Sequence, residues 1–83
     1  MENQIELFKT TDIKSSAYLV TKGLSIVKII KTDPRRIIFC FPDTSELKKL
    51  LQEYWTNQAL VNPRLLLENL DYCKDLVHRD YEI

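Results

Sequence analysis

The segments Leu24-Ser-Ile-Val-Lys-Ile-Ile-Lys31 and Arg36-Ile-Ile-Phe-Cys-Phe41, joined by Thr32-Asp-Pro-Arg35, read together as a β-hairpin. Both arms are rich in β-branched and aromatic residues, and the tetrapeptide between them holds the Asp and Pro that turns favour. Apolar side chains occur on both faces. Ile26, Ile30, Ile37, Phe39 and Phe41 alternate with Val27, Ile29, Ile38 and Cys40 at the two-residue period of a strand. A chain of 83 residues has little material with which to cover both faces. The hairpin is therefore expected to lie centrally or to meet a partner. Val27, Ile29 and Ile38 are the candidate protein interface, and a homodimer is one form that it can take.

Ahead of the hairpin, residues 4–9 alternate well enough for a short strand. Thr10-Thr11-Asp12 then offers oxygens to the unpaired N–H groups of a first helical turn. Ile13, Ala17 and Val20, with Tyr18 beside them, fall at helical spacing, and Gly23 can take the left-handed conformation that closes a helix. A helix is predicted over 12–22. Beyond the hairpin, Pro42 lacks the N–H that a strand ladder uses, and Asp43-Thr-Ser-Glu46 has the form of a capping box with Asp43 as cap. Leu47, Leu50, Leu51, Tyr54 and Trp55 then line one helical face, opposite Lys48, Lys49, Gln52 and Glu53. That stripe is expected to bury its Trp, its Tyr and its three Leu. Asn62-Pro63 restarts a helix, with Asn as cap and Pro at the first position, and the spacing predicts it over 63–79. The order is strand, helix, strand, strand, helix, helix. This is an α+β domain, a small antiparallel or mixed sheet with three helices, occupying residues 1–83.

Twelve basic and twelve acidic residues cancel, so no global field draws the chain to nucleic acid or to anionic lipid. Their distribution is uneven: residues 1–41 hold seven basic against four acidic side chains, and residues 42–83 hold five against eight. No run of residues approaches the roughly 18 apolar positions of a membrane span, and the basic-then-apolar pattern of a signal peptide is missing. A cytoplasmic protein without a membrane partner is expected. Cys40 and Cys73 fall at inward positions of a strand and a helix and read as reduced core residues. With His78 they do not make a metal-ligand spacing, and no cofactor is expected.

Catalysis is the weakest reading. Cys73 and His78 lie five residues apart on one helix, about 500° around it, so their side chains diverge by roughly 140°. Asp71 and Asp75 share a helical face but interleave with Lys74 like a solvated surface, and one glycine cannot build a phosphate loop. A non-enzymatic domain is expected. Nucleic-acid binding is the sharper alternative. Lys28, Lys31, Arg35 and Arg36 cluster around the hairpin turn, and a two-stranded ribbon can enter a major groove. Lysines on a hairpin also keep strand edges soluble. Protein binding is favoured, because an uncovered sheet face and the aromatics Tyr54, Trp55 and Tyr72 can serve as anchors.

Phe8-Lys-Thr-Thr-Asp12, Ala17-Tyr-Leu19 ahead of Lys22-Gly23, Arg36 to Phe41 leading to Asp43, and Glu53-Tyr-Trp55 with Ala59-Leu-Val-Asn-Pro-Arg64 carry a resemblance. Together they resemble a family of short bacterial, plasmid and phage domains known only as a domain of unknown function. Its patterns have the form F-K-T-x-D, A-Y-L, E-Y-W and V-D-P-R, and the similarity spans about residues 7–77. The chain departs at Asn62, where the pattern more often has Asp; either residue caps a helix. The resemblance brings no catalytic residue. It implies a mobile-element or bacterial setting, in which a small domain of this kind is expected to act as an accessory, regulatory or inhibitory protein through protein contacts.

Overall fold

The computed structural model describes residues 6–34 and 36–78; Arg35, residues 1–5 and residues 79–83 lie outside the described residues. The elements follow the order read from the sequence: β1 (Leu7–Thr10), α1 (Ile13–Thr21), β2 (Lys28–Asp33), β3 (Arg36–Pro42), α2 (Ser45–Trp55) and α3 (Pro63–His78). The strands form one antiparallel sheet in the order β1-β3-β2, so the second arm of the hairpin is its centre and β1 closes the other side. The first strand is described from Leu7 to Thr10, one residue past the predicted end, and residues 4 and 5 of the predicted strand lie outside the described residues. The first hairpin arm is shorter than predicted, with Leu24–Val27 preceding the strand.

One face of the sheet meets all three helices. Ile37, Phe39 and Phe41 of β3 join Ala17, Tyr18 and Leu19 of α1, Leu47, Leu50 and Leu51 of α2, and Cys73 and Leu76 of α3 in a single core. Phe8 and Ile29, from the flanking strands, pack against the same cluster. α1 lies between the other helices, packed along α3 and touching α2. Asn69 Nδ2 donates to Thr21 Oγ1 at 2.9 Å and ties α3 to the end of α1. Cys40 is fully buried but stands outside this core, because alternation along β3 turns it to the opposite face, between Lys9 and Lys28 on the neighbouring strands.

Two helices stop in the same way. Gly23, at φ +100°, follows α1; its N–H donates to Val20 O and the N–H of Leu24 to Leu19 O, both at 3.0 Å. Asn57, at φ 63°, follows α2, with its N–H directed to Tyr54 O and the N–H of Gln58 to Glu53 O. Each left-handed residue turns the chain so that two orphan carbonyls of the last turn are satisfied. The starts differ from one another. Asp12 caps α1 by accepting from the N–H groups of Lys14 and Ser15. Asn62 Oδ1 accepts from Leu65 N at α3.

At α2 the cap is Thr44, whose hydroxyl oxygen accepts from Leu47 N at 3.1 Å, and not Asp43. Asp43 is held one step earlier in the chain, where its N–H donates to Glu6 O at 2.9 Å and prolongs the β1–β3 ladder. Pro42 ends the strand rather than lying beyond it. It pairs with Leu7, and the side of β3 on which its N–H would be needed is already past the end of β2. The α2 stripe also departs from expectation: its three Leu are buried and Tyr54 is half-buried, but Trp55 is 64% exposed.

Candidate functional site

Register decides which hairpin residues share a surface. At the hairpin tip Asp33 stands opposite Arg36, and an unbroken ladder from that pair would set Ile30 opposite Phe39. The ladder instead shifts between Lys31 and Asp33, so one extra residue is absorbed and Ile29 comes opposite Phe39, with Ile30 opposite Ile38. A one-residue slip exchanges the two faces of a strand. Ile29 therefore packs into the core, and Ile30 takes the outer position beside Ile38. Of the interface residues proposed from the sequence, Val27 and Ile38 lie on the outer face and Ile29 does not.

A second doubling restores the phase. Lys28 lies opposite Cys40, and the N–H of Val27 also donates to Cys40 O at 2.8 Å, so two residues face one. Ile26 then turns to the core and Val27 stands 53% exposed. The outer face is thus an apolar strip of Val27, Ile30, Ile38 and Pro42, with Leu7 at its margin and Lys9 and Lys28 either side of the buried Cys40. No helix among the described residues covers it.

The same alternation separates the cations. Lys28 is exposed on the outer face, and Lys31 lies opposite Ile37 on the core-facing row. Arg36 is exposed at the hairpin tip and lines a shallow hollow with Thr11, Ile13 and Val77. Arg35 is outside the described residues. The structure thus joins Lys28 to Lys9 on one surface and separates it from Lys31.

Sequence reasoning missed a second surface. Phe8, Leu47, Leu51 and Trp55 line a groove of about 460 Å³ between β1 and α2, together with Asp43 and Lys48. Leu47, Leu51 and Trp55 recur at four-residue steps, so the signal was present in the helical stripe. Trp55 is named as an anchor from the sequence, but Leu47 and Leu51 read as core and no groove with Phe8 is foreseen, because nothing in the stripe says where the sheet ends. One oxygen of Asp43, Oδ1, is buried there without a hydrogen-bond partner.

The chemistry of the thiols is that of buried groups. Cys40 and Cys73 are both buried and unbridged. Burial pushes the Cys73 thiol up to about 11, which keeps it protonated at neutral pH and a poor nucleophile. His78 is exposed in the last turn of α3. Among the described residues no three His, Cys, Asp or Glu side chains gather as a metal site, and no helix is long and apolar enough to cross a membrane.

No curated protein and no solved structure matches the chain. A family model does match, over residues 5–78, which includes every strand and helix that builds the two surfaces. The chain belongs to the family described as Domain of unknown function (DUF5659).

Proposed function

We propose that this domain is a non-enzymatic binding module that works through protein–protein contacts at the outer face of its sheet. The observation that carries the reading is the one-sided layering: all three helices pack on the face of Phe39, and the apolar strip of Val27, Ile30 and Ile38 is left without a covering element among the described residues. In the mobile-element setting implied by the sequence resemblance, the module acts as an accessory, regulatory or inhibitory protein. A different protein suits this face better than a second copy. Face-to-face self-association sets Lys9 and Lys28 of one copy near the same cations of the other, and like charges in an interface are unfavourable.

Nucleic acid is the second reading, through Lys28, Lys31 and Arg36. It draws less support because Lys28 and Lys31 stand on opposite faces of the ribbon and the aromatic Phe39 and Phe41 point inward, leaving no stacking platform.

Paired baits test the first reading. Wild-type and Ile38→Glu domains, matched in melting temperature, are used to capture proteins from cells of the native host. A protein retained by the first and lost by the second supports binding through the outer face. Identical capture by both baits overturns it. A salt-sensitive gel shift that disappears when Lys31 and Arg36 are changed to Glu moves the assignment to nucleic acid.

A further inference from the structure

We infer that the free edge of β1 and the groove between β1 and α2 form a second docking site, which receives one extended strand of a partner protein with apolar residues at alternate positions and one basic residue. The site is independent of the outer sheet face. The hydrogen bond from Asp43 N to Glu6 O fixes the phase of the β1–β3 ladder: the backbone groups of Glu6, Phe8 and Thr10 turn toward β3, and those of Leu7 and Lys9 turn away. The N–H and C=O groups of Leu7 and Lys9 make no hydrogen bond among the described residues. They are a row of donors and acceptors at strand spacing, which an added strand can satisfy. The opposite edge of the sheet is less suited. β2 is interrupted at both ends of its regular stretch and carries Lys28 and Lys31 there, devices that discourage edge pairing.

The groove supplies the second half of the site. A residue placed opposite Phe8 shares its face of the sheet and points at Leu47, Leu51 and Trp55. Trp55, so exposed, is the type of aromatic anchor that dominates interfaces once covered. The next groove-facing residue, two positions along, comes opposite Glu6 and beside Asp43. The Asp43 carboxylate makes no ion pair among the described residues and has an oxygen buried without a donor. A basic residue at that position of the incoming strand supplies the missing partner, and Lys48 on the same wall limits the demand to a single cation.

A second copy does not meet this requirement. In the antiparallel registers that pair Leu7 and Lys9 with their counterparts, the residue opposite Glu6 is Phe8, Thr10 or Asp12 of the copy, and none is basic. A compact small molecule can fill the groove but cannot satisfy the row of backbone groups beside it.

Trp55 is the single tryptophan of the chain, so its fluorescence reports the groove directly. The probe is a nine-residue peptide of alternating valine and threonine, with one valine beside the centre replaced by arginine. Binding is expected as a saturable blue shift, with amide NMR shifts at Leu7 and Lys9. N-methylation of the peptide amides that face β1 is expected to weaken binding by about tenfold or more. Asp43→Asn should bring the arginine peptide down to the affinity of an all-valine peptide. Lys9→Pro, which removes an N–H directed away from β3, should abolish binding with the fold retained, and Ile38→Glu should leave it unchanged. Equal binding of the N-methylated peptide overturns the proposal even if Lys9→Pro fails to fold. So does the lack of any shift at millimolar peptide, or a doubled mass with a blue-shifted Trp55 and no peptide present.

Discussion

The ring of Tyr18 lies 5.2 Å from the ring of Tyr54, tilted by 31°, and its hydroxyl ends inside the protein without a hydrogen-bond partner. Burial, and then the charge of Glu53, raise its pKa, so the group stays neutral. A buried hydroxyl without a partner carries its desolvation cost with nothing to offset it. Tyr18→Phe keeps the ring contact and removes that cost. It should stabilise the domain by about 1 kcal/mol, raising the melting temperature by roughly 4–8 °C. A lower melting temperature would show that the hydroxyl has a partner after all.

Gly23 and Asn57 perform the same backbone task with different ease. Asn tolerates the left-handed region better than most residues, but glycine enters it without steric cost. Asn57→Gly should therefore be neutral or stabilise by a few tenths of a kcal/mol, and Gly23→Ala should destabilise by about 1 kcal/mol, since its φ is +100° even though the space around its Cα is open. Urea melts of the two variants separate the cases. Equal and opposite effects from crowding are excluded at Gly23, because an added Cβ meets no atom within 4 Å.

Thr44 takes the cap that the sequence assigned to Asp43. Thr44→Ala should cost about 1 kcal/mol through loss of the acceptor for Leu47 N. Asp43→Ala should cost less, because its N–H keeps the bond to Glu6 O and only a carboxylate with one orphan oxygen is lost. Denaturant midpoints in the reverse order would return the cap to Asp43.

Stability should fall at alkaline pH for a reason that lies in Cys73. Its thiol ionises at about 11 in the folded protein against an ordinary value of 9.0, because burial disfavours the thiolate. Between those values the unfolded chain holds fewer protons than the native one, so stability is intact below pH 9 and declines as pH rises toward 11. The loss is about 2–3 kcal/mol in all. Tyr18 and Tyr54, both raised by burial, extend the decline above pH 10. Cys73→Val should flatten the pH 9–10 part of the profile in thermal melts. An unchanged slope would show that the thiol is not the source.

Much of the fold was legible because local signals agreed with one another. Asp12, Gly23, Asn62 and Pro63 mark helix ends through chemistry that needs no tertiary context, and all four sit where that chemistry places them. The faces of β2 were not legible. Alternation gives the period of a strand but not its phase relative to a neighbour, and the phase here depends on one residue absorbed near the turn and another at Val27. The groove was hidden for a related reason. The stripe through Leu47, Leu51 and Trp55 is apolar throughout, but among the described residues the sheet reaches only as far as β1, so the last residue of the stripe is left exposed.

The phase of β2 can be reversed on purpose. Ile29 and Ile30 are adjacent and chemically identical, yet Ile29 faces Phe39 in the core and Ile30 faces Ile38 outside. Ile29→Glu should therefore destabilise by about 3 kcal/mol or more, since it puts a carboxylate among apolar side chains, and Ile30→Glu should stay within about 1 kcal/mol. Thr32 lies in the shift between Lys31 and Asp33. Inserting one further residue beside it, with the bulge still absorbing a single residue, moves every partner of β2 by one, which turns Ile30 inward opposite Phe39 and Ile29 outward. In that lengthened chain the two glutamate substitutions should exchange their costs. If Ile29→Glu remains the damaging one in both backgrounds, the number of residues near the turn does not set the register, and the outer surface assigned to Ile30 and Ile38 must be redrawn.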